Sequence, residues 1–336
     1  HDDAIALGRD PKATNSKGWW PDALIELERV GTHDAKVVWE WHAKDHLVQD
    51  FARRAPGFAS PAEHPELIDI NADHRNEAPL TTKEREEKEK LDKEMGALGY
   101  AGGDADASKR GAPDEHEADW MHTNGIDYNA ELDMIVVSSP HLCEIFVLDH
   151  STTSDEARGH VGGKRGHGGD LLYRWGNPRN YGAGDAQSQR LFYQHDPQWI
   201  ANGLPGAGNV LVYNNGTKRP DGKFSEIDEL ALPFQAEHAF SRNDGWAFGP
   251  SEPAWKYVAP ERESFFSPFI SGCQRLPNGN TLICCGASGR FFEVTAEGRT
   301  VWDFLNPHGG EIPTSFGKAA PEQPKVDARA VFQATR

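Results

Sequence analysis

The sequence predicts an all-β protein of the β-propeller class, on three observations. Short strand-like segments, alternating or wholly apolar, recur along the 336 residues and are separated by Gly, Asn or Pro. The 34 Gly and 22 Pro favour turns over long helices. The segments also fall into repeating sets without intervening helices, the pattern of propeller blades. A β-sandwich is the alternative, but repeated strand-set chemistry is not expected of one.

In chain order, Ala23–Val30 and Lys36–Trp41 alternate on either side of a polar turn. Leu132–Ser138, Glu144–Asp149 and Asp170–Trp175 form a second set, and Asn209–Tyr213, Ser225–Leu230 and Ala254–Val258 a third. Asn280–Cys284, Arg290–Val294 and Thr300–Phe304 form a fourth, and Ala328–Thr335 reads as one more strand. Comparable segments open three of the units, at His122–Ile126, His195–Trp199 and Ser267–Ser271. The first pair lacks inner strands of its own, so the chain reads as a single propeller domain, residues 1–336, whose ring is incomplete. Trp39, Trp255 and Trp302 are expected in blade-closing strands, buried between neighbouring blades.

Residues 76–119 interrupt the pattern as a charged surface insertion. Thr81 and Glu84 form a capping box for a helix running to about Leu98. Asp104 and Asp106 follow in a Gly-rich stretch that lacks the Gly and the distant Glu of a calcium loop.

Composition limits the function. The charge is −17, from 35 basic and 52 acidic residues, which argues against nucleic acid or an anionic membrane as partner. No apolar run approaches the ~18 residues of a membrane span. Ten Trp, 16 Phe and 7 Tyr require a packed core despite the acidic surface. The chain starts at His1 without an apolar leader, and the composition suits a periplasmic or extracellular protein. Four cysteines are too few for a disulfide scaffold and lack zinc-site spacing. A two-residue turn at Asn278-Gly279 would set Cys273 opposite Cys284, within disulfide range, although strand geometry need not aim both sulfurs; buried thiols are the expectation.

Inner strands of blades converge on a central channel, so His122 and His195, at matching unit starts, are candidate site residues, with Asp45-His46 a possible third. Imidazole there can bind an oxyanion, move a proton or attack as a nucleophile. Arg219, after the strand of the His195 unit, offers a planar guanidinium for a tetrahedral anion, or is an exposed loop residue. The run Gly159–Gly169, with His160, Lys164, Arg165 and His167, does not match a phosphate-binding P-loop. It reads as a surface loop between two blade strands in preference to a basic lid.

Three motifs carry a family resemblance: D-W-M-H-T-N-G-I-D-Y at Asp119–Tyr128, Q-H-D-P-Q-W at Gln194–Trp199 with N-V-L-V-Y-N-N-G at Asn209–Gly216, and L-P-N-G-N-T-L at Leu276–Leu282. Together they resemble the bacterial arylsulfate sulfotransferases, from about Gly18 to the C-terminus apart from the insertion. The resemblance implies a six-bladed, periplasmic or secreted propeller. It also implies sulfuryl transfer between phenols through a sulfated histidine, with no cofactor and no 3′-phosphoadenosine phosphosulfate. It assigns the H-x-N histidine to His122, the Q-H-D histidine to His195 and the arginine after the N-N-G turn to Arg219, all three contacting sulfuryl oxygens. The family's nucleophilic histidine should fall within Gly286–Arg290, where this chain has none; His238 and His308 are the nearest in sequence. The alternative implied is a non-catalytic propeller that binds an anionic ligand or a protein partner.

Overall fold

A computed structural model describes residues 2–15, 18–75, 82–83, 86, 90, 118–234, 240, 247–307 and 329–335. Strands β1 (Ala23–Val30) and β2 (Asp34–His42) form a hairpin, and the short β3 (Leu47–Val48) and β4 (Ile68–Asp69) pair in parallel. Three four-stranded antiparallel meanders follow. The first holds β5 (Gly125–Asn129), β6 (Met134–Ser139), β7 (Glu144–Asp149) and β8 (Tyr173–Trp175). The second holds β9 (His195–Trp199), β10 (Val210–Asn214), β11 (Glu226–Leu230) and β12 (Trp255–Tyr257). The third holds β13 (Gly272–Arg275), β14 (Thr281–Cys285), β15 (Arg290–Val294) and β16 (Thr300–Leu305). The described chain is thus all-β, with sheets of the kind that form propeller blades.

The two-residue period of a strand explains how the sheets stack. On β6, Ile135 and Val137 face a core with Trp39, Trp41 and Trp120, while Met134 and Val136 face a second core with Val210, Val212 and Leu230. On β10, Leu211 and Tyr213 face a third core shared with Ile283 and Phe292. Each central sheet is therefore covered on both sides, which is why these strands read as apolar runs rather than clean alternations. Burying each such side chain contributes about 1.5–3 kcal/mol.

The ends of this stack differ. Residues along β1 and β16 are exposed, including Ile25, Leu27, Val301 and Phe304. This corrects the expectation for two tryptophans. Trp39 is buried as expected, but Trp255 is only partly buried, and Trp302, on the outermost strand of the third sheet, remains 43% exposed.

The hairpin between β13 and β14 also departs from expectation. Leu276 N–H donates to Asn280 O and Gly279 N–H to Leu276 O, so the loop has three residues, Pro277–Gly279. Gly279 adopts φ +86°, as a left-handed residue closing a type I turn. The extra loop residue slips the register by one. Cys273 pairs with Ile283 and Gly272 with Cys284, so the two cysteines are not opposite partners. All four cysteines are buried thiols.

Arg329–Thr335 does not form the expected strand. It is held instead by separate hydrogen bonds, among them Val331 N–H to Gly286 O, Ser271 N–H to Phe332 O and Gln333 Nε2 to Asp196 Oδ1. Of the expected insertion helix, Thr82, Lys83, Glu86 and Lys90 are helical; its remaining residues, with Asp104 and Asp106, lie outside the described residues. No helix among the described residues is long and apolar enough to cross a membrane.

Candidate active site

The three sheets meet around the Q-H-D segment, and each of its side chains ties a different piece together. Gln194 Nε2 donates to Glu144 O at 2.7 Å and Ser139 O at 3.0 Å, fastening the second sheet to the first. Asp196 accepts from Cys273 N–H at 2.9 Å, fastening it to the third. Asn124, of the H-x-N segment, donates to Gln194 O at 3.0 Å and joins the two motifs.

His195 lies between these fasteners and is fully engaged by protein. Ile270 N–H donates to its Nε2 at 3.1 Å, so Nδ1 carries the hydrogen and donates to Asn215 Oδ1 at 2.8 Å. Burial, opposed by the Asn215 bond and reinforced by nearby His122 and His141, lowers its pKa to about 4. It is a neutral imidazole at pH 7. Burial raises its neighbour Asp196 to about 6, with Asp127 adding to the rise. His195, Asp196, Asn124, Gln198, Ile270 and Gln333 line part of a cavity of about 480 Å³.

His122 is placed differently. Asp119 Oδ2 lies 2.5 Å from its Nδ1, and because a carboxylate only accepts, Nδ1 carries the hydrogen. His141 stacks on His122 with ring centroids 5.0 Å apart and 22° between planes. Its Nδ1 donates to the main-chain oxygen of the same Asp119 at 2.8 Å. One residue thus sets the tautomer of two parallel imidazoles and assigns their lone pairs to Nε2. Tyr193 meets His141 edge-on at 6.1 Å, and Lys218 Nζ lies 5.0 Å from the centre of the Tyr193 ring.

Backbone strain concentrates here. Eight non-glycine residues among those described have positive φ, and His122, Tyr193, Asp196, Lys218, Ile270 and Ser271 are six of them. Such conformations cost about 1–3 kcal/mol each and gather at functional sites, where surrounding contacts enforce them.

Arg219 is held by its own neighbours. It is ion-paired with Glu226 and Asp221, each at 3.0 Å, and packs over the Phe224 ring at 3.8 Å. His46 is remote from His122 and His195 in its contacts: it follows β2, is fully buried under Trp41, and bonds to Asp170. Gly159–Gly169 is a connection between β7 and β8, as expected. Lys164 pairs with Asp133 at 2.9 Å and Arg165 with Asp149 at 2.7 Å, so its cations serve the sheet and not a lid. Gly286–Ser288 is a short 3₁₀ turn, and Arg290 after it is paired with Asp303. His238 and His308 lie outside the described residues.

Sequence reasoning gave no role to Asp119, His141, Tyr193 and Lys218. Asp119 and Tyr193 stand in or beside the quoted motifs, so adjacency was a signal for them. His141 follows Pro140 in the β6–β7 turn, and only folding brings it to His122.

The model of the arylsulfotransferase (ASST) family matches residues 12–322, most of the chain, and the protein belongs to that family. No curated protein matches. Among solved structures, a streptogramin B lyase is similar over 56% of this chain and 42% of its own, at 11% identity and a TM-score of 0.28. A protein of unknown function from Bacteroides caccae is similar over 55% of this chain and 45% of its own, at 14% identity and the same TM-score. The chain spans less than half the length of either structure.

Proposed function

We propose that the chain transfers sulfuryl groups between phenols in a six-bladed, periplasmic or secreted propeller, with Nε2 of His122 as the nucleophile. The observation that carries this is the Asp119 carboxylate on Nδ1 of His122, an arrangement that orients the ring and stabilises positive charge on it. His122 would take the part of the histidine missing from Gly286–Arg290.

In the first step Nε2 attacks the sulfur of an aryl sulfate. The N–S bond forms as the S–O bond to the aryl oxygen breaks, and the phenolate departs with the electron pair and takes a proton from solvent. The sulfated ring is cationic, and Asp119 faces that charge. In the second step Nε2 of His141 takes the proton of an acceptor phenol, whose oxygen attacks sulfur, and later gives that proton to solvent. The S–N bond then breaks and its electrons return to Nε2. Lys218 and the Tyr193 hydroxyl supply positive charge and a donor to the sulfuryl oxygens. Arg219, fixed to Glu226, holds the turn that carries Lys218, and neutral His195 holds the sheets in place beneath.

The absence of His from Gly286–Arg290 favours a second role, binding of an anionic ligand or protein partner without turnover. One assay separates the two. With 4-nitrophenyl sulfate as donor and phenol as acceptor, nitrophenolate release is expected from the wild type. His122→Ala should lower kcat by about 10²-fold or more, and Lys218→Ala should mainly raise KM. Full activity in His122→Ala would overturn the assignment, and a wild type that binds donor without release would favour the binding role.

A further inference from the structure

We infer that His46, His160 and Asp170 form a binding site for one divalent metal ion, zinc in the first instance, at the base of the Gly-rich loop. His46 Nδ1, His160 Nδ1 and an Asp170 carboxylate oxygen lie within 4.8 Å of one another. Both ring nitrogens are 2.8 Å from the same oxygen, Asp170 Oδ1. Two imidazoles and a carboxylate make a donor set suited to zinc, which takes three protein ligands and a water in open tetrahedral sites.

The proton positions point to a cation. His46 Nε2 lies 2.8 Å from Ala157 O, and a carbonyl only accepts, so Nε2 carries the hydrogen. In a neutral ring Nδ1 then has a lone pair aimed at a carboxylate oxygen, an arrangement unfavourable until a cation stands between them. A hydrogen bond from the outer ring nitrogen to a main-chain carbonyl is the usual support of a metal-bound histidine. Without a metal, His46 would have to carry a second proton to meet Asp170, whereas one divalent ion serves both rings.

The surroundings hold the donors ready. Trp41 stacks on His46 with 2° between planes, and its Nε1 donates to Gly169 O at 2.7 Å. Gly169 lies so close that a Cβ there would clash with both His46 Nε2 and Ala157 O. His46 is fully buried, Asp170 nearly so, and the His160 side chain is 59% exposed, which leaves a route for the ion and its water. The ion would join the end of the β1–β2 hairpin to the β7–β8 connection.

Tag-free protein stripped with EDTA should take up one zinc per chain in isothermal titration with zinc alone, confirmed by elemental analysis. Zinc should also raise its melting temperature. His160→Ala alters an exposed side chain and should fold normally by circular dichroism, yet bind zinc at least tenfold more weakly and lose the thermal shift; Asp170→Asn should do the same. No uptake by the wild type, or equal uptake by a folded His160→Ala variant, would overturn the site. Turnover of aryl sulfate is not read, so failure here leaves the transferase proposal standing.

Discussion

His195 and Asp196 are neighbours whose proton affinities burial moves in opposite directions. His195 titrates at about 4 in the fold against 6.5 for an ordinary histidine, so between those values the unfolded chain holds the extra proton. Its stabilising contribution is therefore complete above pH 6.5 and is lost as the pH falls towards 4. Asp196, raised from 3.8 to about 6, acts with the other sign: the fold retains its proton between those values, so acidification relieves a penalty. The His195 contribution amounts to about 3 kcal/mol. Urea titrations of wild type and His195→Gln should therefore converge by about that amount between pH 6.5 and 4. Parallel curves would show that His195 is not buried as a neutral ring. The sequence singled out His122 and His195 as a matched pair, and residue type and repeat position carried no more. What divides them is their partners: Asp119 lies three residues from His122 in the chain, but Asn215 and Ile270 reach His195 only through folding.

At the scale of elements, the β13–β14 hairpin shows what a motif does and does not convey. Pro277-Asn278-Gly279 announces a turn, but whether two or three residues form it depends on the hydrogen bonds of Leu276, and one residue's difference moves Cys284 to the other face. Gly279→Ala has room for its Cβ, which would meet only Pro205 Cγ at 3.4 Å. Its expected loss of about 1 kcal/mol thus comes from the positive φ and not from a clash. Denaturant titration of that variant checks the turn assignment, and an unchanged midpoint would contradict it. Tryptophans test the stacking. Trp41, 2% exposed, should lose about 3–5 kcal/mol on truncation to Ala. Trp302→Ala, on the exposed outer strand, should lose less than about 1 kcal/mol. Equal losses would mean that the face of β16 is covered in solution. The sequence marks all these tryptophans alike, because a strand pattern does not say whether another sheet lies beyond it.

Across the whole molecule, the strand sets were legible because each central strand is covered on both faces and reads as an apolar run. Whether they close into a ring was not legible, since each sheet is specified only against its neighbours and no residue encodes closure. The same holds for the candidate site, where Q-H-D and H-x-N mark the seams between sheets, while His141, Tyr193 and Lys218 come from turns that the seams bring together. The transferase proposal centres on His122, whose Nδ1 meets the Asp119 carboxylate within the H-x-N segment. Acid-free quenching after exposure to an aryl sulfate donor, followed by peptide mapping, tests it most directly. One SO₃ group should appear on the peptide containing His122, disappear on addition of phenol acceptor, and be absent from His122→Ala. A sulfated residue elsewhere, or turnover by the wild type with no sulfated intermediate, would contradict His122 as the nucleophile.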